Sequence, residues 1–143
     1  CVPVEPPPAA SQPLADRFLD AAARTGLGAA SLAPLTLADG RRWSAARTYL
    51  GPHRREPHLT RLTRTRVLRL QLDGARCIGV FARRLGREIQ VRARREVILA
   101  AGTFGSPRLL QLAGIGPPGP LEAAGLRVTH PLSGVGANLS DHV

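Results

Sequence analysis

The segment that most restricts the fold is "EVILAAG", residues 96–102. After Glu96 its apolar residues follow one another with no polar residue between them, so the run does not read as a half-exposed strand with alternating faces. Read as extended, it is a strand buried on both faces, the arrangement typical of parallel sheets. It ends in Ala100, Ala101 and Gly102, side chains small enough for a ligand or another backbone to approach closely. The next stretch, "TFGSPRLLQLAGIG", reads as a helix. Ser106 is a good N-cap, Pro107 suits the first helical position, Leu109, Leu110 and Leu112 form an apolar face, and Gly114 ends it. Open α/β sheets bind ligands beyond the carboxyl ends of their strands, at corners of this kind. Tight packing of a strand against a helix calls for the same small residues, so the pattern alone leaves both readings open.

Upstream, the hydrophobic period is two. "LTRLTRTRVLRLQLDG" places apolar residues at Val67, Leu68, Leu70 and Leu72, and Asp73-Gly74 closes it as a hairpin. "ARCIGVFARR" is a second strand, Leu85-Gly86 turns the chain, and "REIQVRARR" is a third with Ile89, Val91 and Ala93 on one face. The expectation is a small three-stranded meander feeding into the apolar run.

The N-terminal part is different in kind. "CVPVEPPPAASQP" is Pro-rich and reads as an extended connector. "PLADRFLDAAARTGLG" reads as a helix with Pro13 in its first turn, an apolar stripe of Leu14, Phe18, Leu19 and Ala22, and a stop at Gly26. Asp39-Gly40 marks a turn, and Ser44 caps a short helix "SAARTYL" that ends at Gly51-Pro52.

Gly114, Gly116 and Gly119 spell G-x-G-x-x-G, the letters of a dinucleotide loop. In such a loop the first glycine follows a strand and the last opens a helix, which aims backbone N–H groups at phosphate. Here Gly114 follows a predicted helix, and Pro117 and Pro118 remove two of the N–H donors. The three glycines read as a helix cap and a turn, and the match as accidental.

Composition narrows the function classes. The formal charge is +10 and every basic residue is Arg, which would fit an anionic partner. The arginines are scattered along the sequence and aromatic residues make up 3%, leaving few rings for base stacking. Ordinary solvated charge is therefore the favoured reading, and nucleic acid is not an expected partner. Cys1 and Cys77 are too few for a disulfide framework, Cys77 reads as a small core residue, and the four His are isolated, so no metal site is expected. No apolar run approaches the roughly 20 residues of a membrane span. The chain starts at Cys1, has no Met and stops at "NLSDHV", which reads as an internal piece of a longer polypeptide.

Several blocks together resemble the glucose-methanol-choline oxidoreductases, FAD-dependent enzymes that act on alcohols. "AAGTFGSPRLLQLAGIGP" is similar to their second signature. "DGRRWSAARTYLGPHRREPHLTRLTRTRVLRL" resembles their Gly-x-Arg-x-Ser segment, Ala-Tyr-Leu helix and following strand, and "ARREVILAAG" their strand into the ADP-binding corner. "LEAAGLRVTHPLSGVGANLSDHV" resembles the segment ending Gly-Val-Gly-x-Asn-Leu-x-Asp-His. The departures are Ala113 where Ser is usual, Ser140 where Gln is common and Thr65 where a small Ala is frequent. None of them removes an acid, a base or a nucleophile.

The resemblance implies an α/β fold of mixed α+β character. It would be part of a Rossmann-like FAD-binding domain with a small meander, plus part of the substrate-domain scaffold. Residues 1–58 would be the connector and helices of the substrate-domain side, 59–116 the strands and helix of the FAD-binding domain, and 117–143 a return segment. It implies FAD as cofactor, with the backbone N–H and C=O of Val67 at the adenine edge and Ala100, Ala101 and Gly102 beside the ADP portion. Asn138, Asp141 and His142 match the last block and carry no assigned chemistry. The family's glycine-rich FAD loop lies before, and its catalytic His near the C-terminus beyond, the segment matched here. The expectation is therefore no catalytic residue in these 143 positions and no activity from this piece alone.

The implied activity is oxidation of an alcohol CH–OH by hydride transfer to flavin, with a small-molecule alcohol as substrate. Which alcohol it is, and whether oxygen or another carrier reoxidises the flavin, stays open. A lyase that keeps the flavin without redox turnover, and a basic module for an anionic partner, are the alternatives. Low cysteine usage fits the cytoplasm.

Overall fold

The computed structural model describes residues 1–7, 13–26 and 30–141. Residues 8–12 of the expected connector, Leu27 and Gly28 after the first helix, and His142 lie outside the described residues. Helices and strands are mixed, and the chain divides into two units, Cys1–Arg61 and Leu62–Val143.

In the first unit, helix α1 runs Pro13–Thr25. Pro13 needs no N–H at the helix start, Asp16 in the first turn and Arg24 in the last oppose the helix dipole, and Gly26 leaves the helix at φ +69°. Of its expected apolar stripe only Ala22 is buried, while Leu14 and Phe18 are exposed. Glu5 and Leu35 exchange backbone hydrogen bonds of 2.9 Å, fixing the start of the chain as extended. Strands β1 (Leu37–Ala38) and β2 (Arg41–Arg42) form a hairpin whose two loop residues, Asp39 and Gly40, both have positive φ. That is the type I′ turn the Asp-Gly pair favours.

Ser44 caps the next segment as expected, its Oγ accepting from the Arg47 N–H at 3.3 Å. The segment is a wider coil than an α-helix. Residues Ala46–Leu50 form one π-helical turn, closed by the Gly51 N–H on the Ala46 carbonyl at 3.0 Å.

The second unit contains the meander. Strands β3 (Thr65–Asp73), β4 (Arg76–Arg84) and β5 (Arg87–Arg92) pair antiparallel in that order. The sequence alternation in β3 is broken at Val67-Leu68, and the structure shows how it is repaired. Val67 pairs with Ala82 and Arg69 with Phe81, so Leu68 is an extra residue on β3. A second irregularity, between Gln71 and Leu72, leaves Ile78 extra on β4. These bulges keep Val67, Leu70, Leu72, Val80 and Ala82 on one face, because each inserted residue restores the parity that the sequence loses. The opposite face carries Arg66, Arg69, Gln71, Phe81 and Glu88.

Helix α2 (Gly102–Leu112) follows. Leu70, Ala82 and Leu109 are buried and make the core between sheet and helix. β6 (Ile115–Gly116) and β7 (His130–Pro131) form a short parallel pair, with α3 (Pro118–Ala123) between them and Leu121 and Val135 buried. The end of α3 has the paired bonds of a Schellman cap. Gly125, at φ +72°, donates to Glu122, and Leu126 donates to Leu121, both at 2.9 Å.

Three expectations need correction. The run at 96–102 has no strand partner among the described residues, and Ile98 is 81% exposed. Val97 and Leu99 are half-buried while Ile98 and Ala100 are exposed, as in an extended segment with one covered side. Burial on both faces needs a packed layer on each side, and among the described residues only the side carrying Val97 and Leu99 is partly covered. The second correction concerns α2, which starts five residues before Pro107. Ser106 lies inside the helix, and its Oγ accepts the Ala101 N–H at 3.0 Å. Gly102 and Gly105 have low helix propensity and hide the first turn in the sequence, while Ser106 caps it from within. Cys77 is half-buried, with its thiol on the Gly79 carbonyl at 3.4 Å, and is a peripheral rather than a core residue.

Candidate functional site

A cleft of about 620 Å³ lies in the second unit, between the start of β3, the unpaired run at 97–101 and the middle of α2. This is within the size range of small-molecule sites. Val67, Ala100 and Ala101 all line it, so the fold brings together three of the four residues that the sequence placed at a cofactor. The fourth, Gly102, is the first residue of α2 and is not part of the lining. Its role is conformational: its φ is +82°, and no atom approaches the position a Cβ would take.

Three features give the cleft its chemistry. β3 is an edge strand, since β4 occupies one side of it and nothing among the described residues pairs with the other. The outward N–H and C=O groups of an edge strand are a fixed row of donors and acceptors. Ala100 and Ala101 keep the opposite wall low. A Cβ added at Gly105 would sit 3.0 Å from the Ala101 Cβ, so the start of α2 approaches this wall closely. Arg66 and Arg108 also line the cleft, and neither has an ion pair among the described residues. Taken together, the cleft offers an apolar floor, one strand edge and the Arg108 side chain, with Arg66 at its margin.

The sequence analysis missed Arg66 and Arg108. In a chain with twenty arginines, nothing in the pattern distinguishes two of them, and only the fold turns them onto one cavity.

A second cleft, about 710 Å³, lies between α2 and the segment 134–140. Asn138, at φ +57°, is on its wall, together with Pro107 and Gln111. Arg108 borders both cavities. Gln111 donates to the Val135 carbonyl at 3.4 Å, and Gly136 beside it has φ +78°, a backbone conformation that favours glycine.

The G-x-G-x-x-G glycines do not build a phosphate loop. Gly114 follows α2 at φ +78°, donates to the Gln111 carbonyl at 2.9 Å, and accepts from the Thr129 and His130 N–H groups at 2.8 and 3.1 Å. Gly116 pairs in β6, and Gly119 lies in α3 with open space beside it. Each glycine serves packing, capping or nothing at all.

Comparison with known proteins gives a consistent result. The sequence model described as "GMC oxidoreductase" matches residues 9–143. "Oxygen-dependent choline dehydrogenase 1" of Chromohalobacter salexigens is 43% identical over 108 residues, covering 76% of this chain and 19% of that protein. A second choline dehydrogenase of the same organism aligns over 154 positions at 36% identity, covering 99% of this chain and 28% of the relative. Among solved structures, pyridoxine 4-oxidase from Mesorbium loti superposes with a TM-score of 0.77 at 33% identity, over 92% of this chain and 28% of the other. An FAD-dependent oxidoreductase from Chaetomium thermophilum superposes with a TM-score of 0.71 at 26% identity, over 84% and 23%. The chain spans between 19% and 28% of the length of these two curated relatives.

Proposed function

Since the chain belongs to the GMC oxidoreductase family, we propose that it is part of an FAD-dependent enzyme that oxidises the CH–OH group of an alcohol. The observation that carries this reading is the convergence of Val67, Ala100 and Ala101 on one cleft beside the free edge of β3. The donor set fits the adenosine diphosphate half of the cofactor. An adenine ring presents a donor and an acceptor in its plane, which a strand edge at Val67 matches with backbone C=O and N–H. Ala100 and Ala101 leave room for the flat ring and its ribose. Arg108 opposes the charge of the diphosphate with its guanidinium fork.

When bound, FAD supplies acceptance of the hydride from the alcohol carbon. The residues of this chain bind and orient: the β3 edge fixes the adenine end, Gly102 turns the backbone from the unpaired run into α2, and the buried Leu70 of β3 and Leu109 of α2 hold the two walls. We assign no acid or base of the reaction to the described residues. In domain terms, we assign 59–116 to the cofactor and 1–58 to the substrate-domain side, with 117–143 a return segment toward the substrate domain that lies in the same unit as residues 62–116.

The names of the relatives make choline the first alcohol to test and pyridoxine the second. The two cysteines are free, and no helix among the described residues is long and apolar enough to cross a membrane. The cytoplasm is the compartment we propose. The full-length protein should purify yellow, with flavin absorbance, and lose that colour anaerobically on addition of its alcohol. Bound flavin that no alcohol reduces would move the assignment to the lyase alternative, and a colourless protein that cannot be loaded with FAD would overturn the reading.

A further inference from the structure

The arginines that look scattered in the sequence are gathered by the meander. Residues 62–95 hold ten of them against two acidic residues, Asp73 and Glu88. Strand register brings five to one end of the sheet. Thr65 pairs with Arg84, Arg66 with Arg83 and Arg84 with Arg87, with Arg64 just before β3. All five arginines are exposed. Like charges directly opposite on neighbouring strands destabilise a sheet. The acid at this end, Glu88, is 3.1 Å from Arg69 and so is already engaged.

The tip of the β4–β5 hairpin adds a second, independent feature. Its two loop residues are Leu85 and Gly86, at φ +49° and +80°, and Leu85 is 73% exposed. A type I′ turn favours Asn, Asp or Gly at the position Leu85 occupies, and a leucine there has both a strained backbone and an unburied side chain. Strained backbone tends to cluster at functional sites, which makes this strained and exposed tip a candidate contact. Arg84, Leu85, Arg87 and Ile89 frame a shallow recess of about 430 Å³ at the same place.

We propose that this end of the meander docks on an anionic lipid surface. Leu85 enters the boundary between headgroups and acyl chains, and Arg64, Arg66, Arg83, Arg84 and Arg87 take the lipid phosphates and carboxylates. A bilayer suits the geometry better than a nucleic acid does, because the tip offers an aliphatic side chain and no ring for stacking. It also suits a convex two-residue tip, which needs no matching pocket in a partner. The inference stands apart from the flavin reading, since none of its groups except Arg66 lines the cofactor cleft.

The test is co-sedimentation of the full-length protein with phosphatidylcholine vesicles, with and without phosphatidylserine. Binding should require phosphatidylserine, fall with added salt, and weaken roughly fivefold for each of Arg84→Gln and Arg87→Gln. Leu85→Asn, which suits the turn and so should fold, should weaken it further with every charge retained. Binding that ignores phosphatidylserine, survives both arginine changes, or is unaltered by L85N would overturn the proposal. So would no vesicle binding, with or without retention by single-stranded DNA. Flavin content, read from absorbance in the same samples, should be unchanged in all three variants.

Discussion

The Arg69 guanidinium lies 3.9 Å from the centre of the Phe81 ring, and its Nη2 is 3.1 Å from the Glu88 Oε1. One side chain therefore joins all three strands of the meander, β3 through Arg69, β4 through Phe81 and β5 through Glu88. Gln71 and Gln90 share a side-chain hydrogen bond on the same face. The ion-pair partners are about half exposed, so water screens much of their attraction, and the stacking on Phe81 should be the larger part. A double-mutant cycle with Arg69→Ala and Phe81→Leu should give a coupling of about 0.5–1 kcal/mol, read from hydrogen exchange of the meander amides. Glu88→Gln should change it by less than Phe81→Leu does.

Gly114 and Gly119 make opposite predictions. A side chain at Gly114 would need φ +78° and would drive its Cβ into the Arg127 carbonyl. Gly114→Ala should therefore cost at least about 1–3 kcal/mol, seen as a lower unfolding midpoint of the full-length protein. Gly119 sits in α3 with open space around it, so Gly119→Ala should be neutral or stabilise by up to about 1 kcal/mol. A phosphate loop would show the reverse at Gly119, because an added Cβ there would push the nucleotide away. Flavin content retained in G119A separates the two accounts.

What could be read from the sequence follows the range of the forces involved. Hairpins are local: Asp39-Gly40, Asp73-Gly74 and Leu85-Gly86 each mark a turn where the structure has one, and five of these six residues, all but Asp73, adopt positive φ. The cap of α1 at Gly26 and the cap at Ser44 are local as well. The start of α2 was misplaced because Ser106 and Pro107 imitate an N-cap and first-turn pair, and the bond from the Ala101 N–H to the Ser106 Oγ is invisible in a pattern. The pairing of β6 with β7 was missed because two-residue strands have no period to detect. At the site, family resemblance pointed to Val67, Ala100 and Ala101, but Arg66 and Arg108 come into view only when the chain is folded.

Leu85→Asn should stabilise the β4–β5 hairpin. The present residue is 73% exposed, so its removal loses little burial, while Asn tolerates φ +49° far better. A gain of about 0.5–1 kcal/mol is expected, visible as slower exchange of the β4–β5 amides. A loss of stability would mean that Leu85 is covered in the full-length protein, which would also contradict its proposed contact with lipid.

The cofactor cleft gives the last test, through the size of one wall residue and the size of another. Ala100 is exposed at the cleft, so Ala100→Leu adds bulk where no neighbour has to move, and the unfolding midpoint without cofactor should stay within about 0.5 kcal/mol of the parent. If the adenosine half of FAD lies there, the new side chain occupies part of the 620 Å³ it needs, and the flavin-to-protein ratio should fall several-fold. Val67→Ala changes a side chain on the same cleft but keeps the backbone N–H and C=O, so it should lose some stability from the half-buried site and retain its flavin. The two variants thus separate recognition by main chain from recognition by side chain. Full flavin occupancy in Ala100→Leu, or loss of flavin in Val67→Ala at temperatures where the protein is folded, would place the cofactor elsewhere.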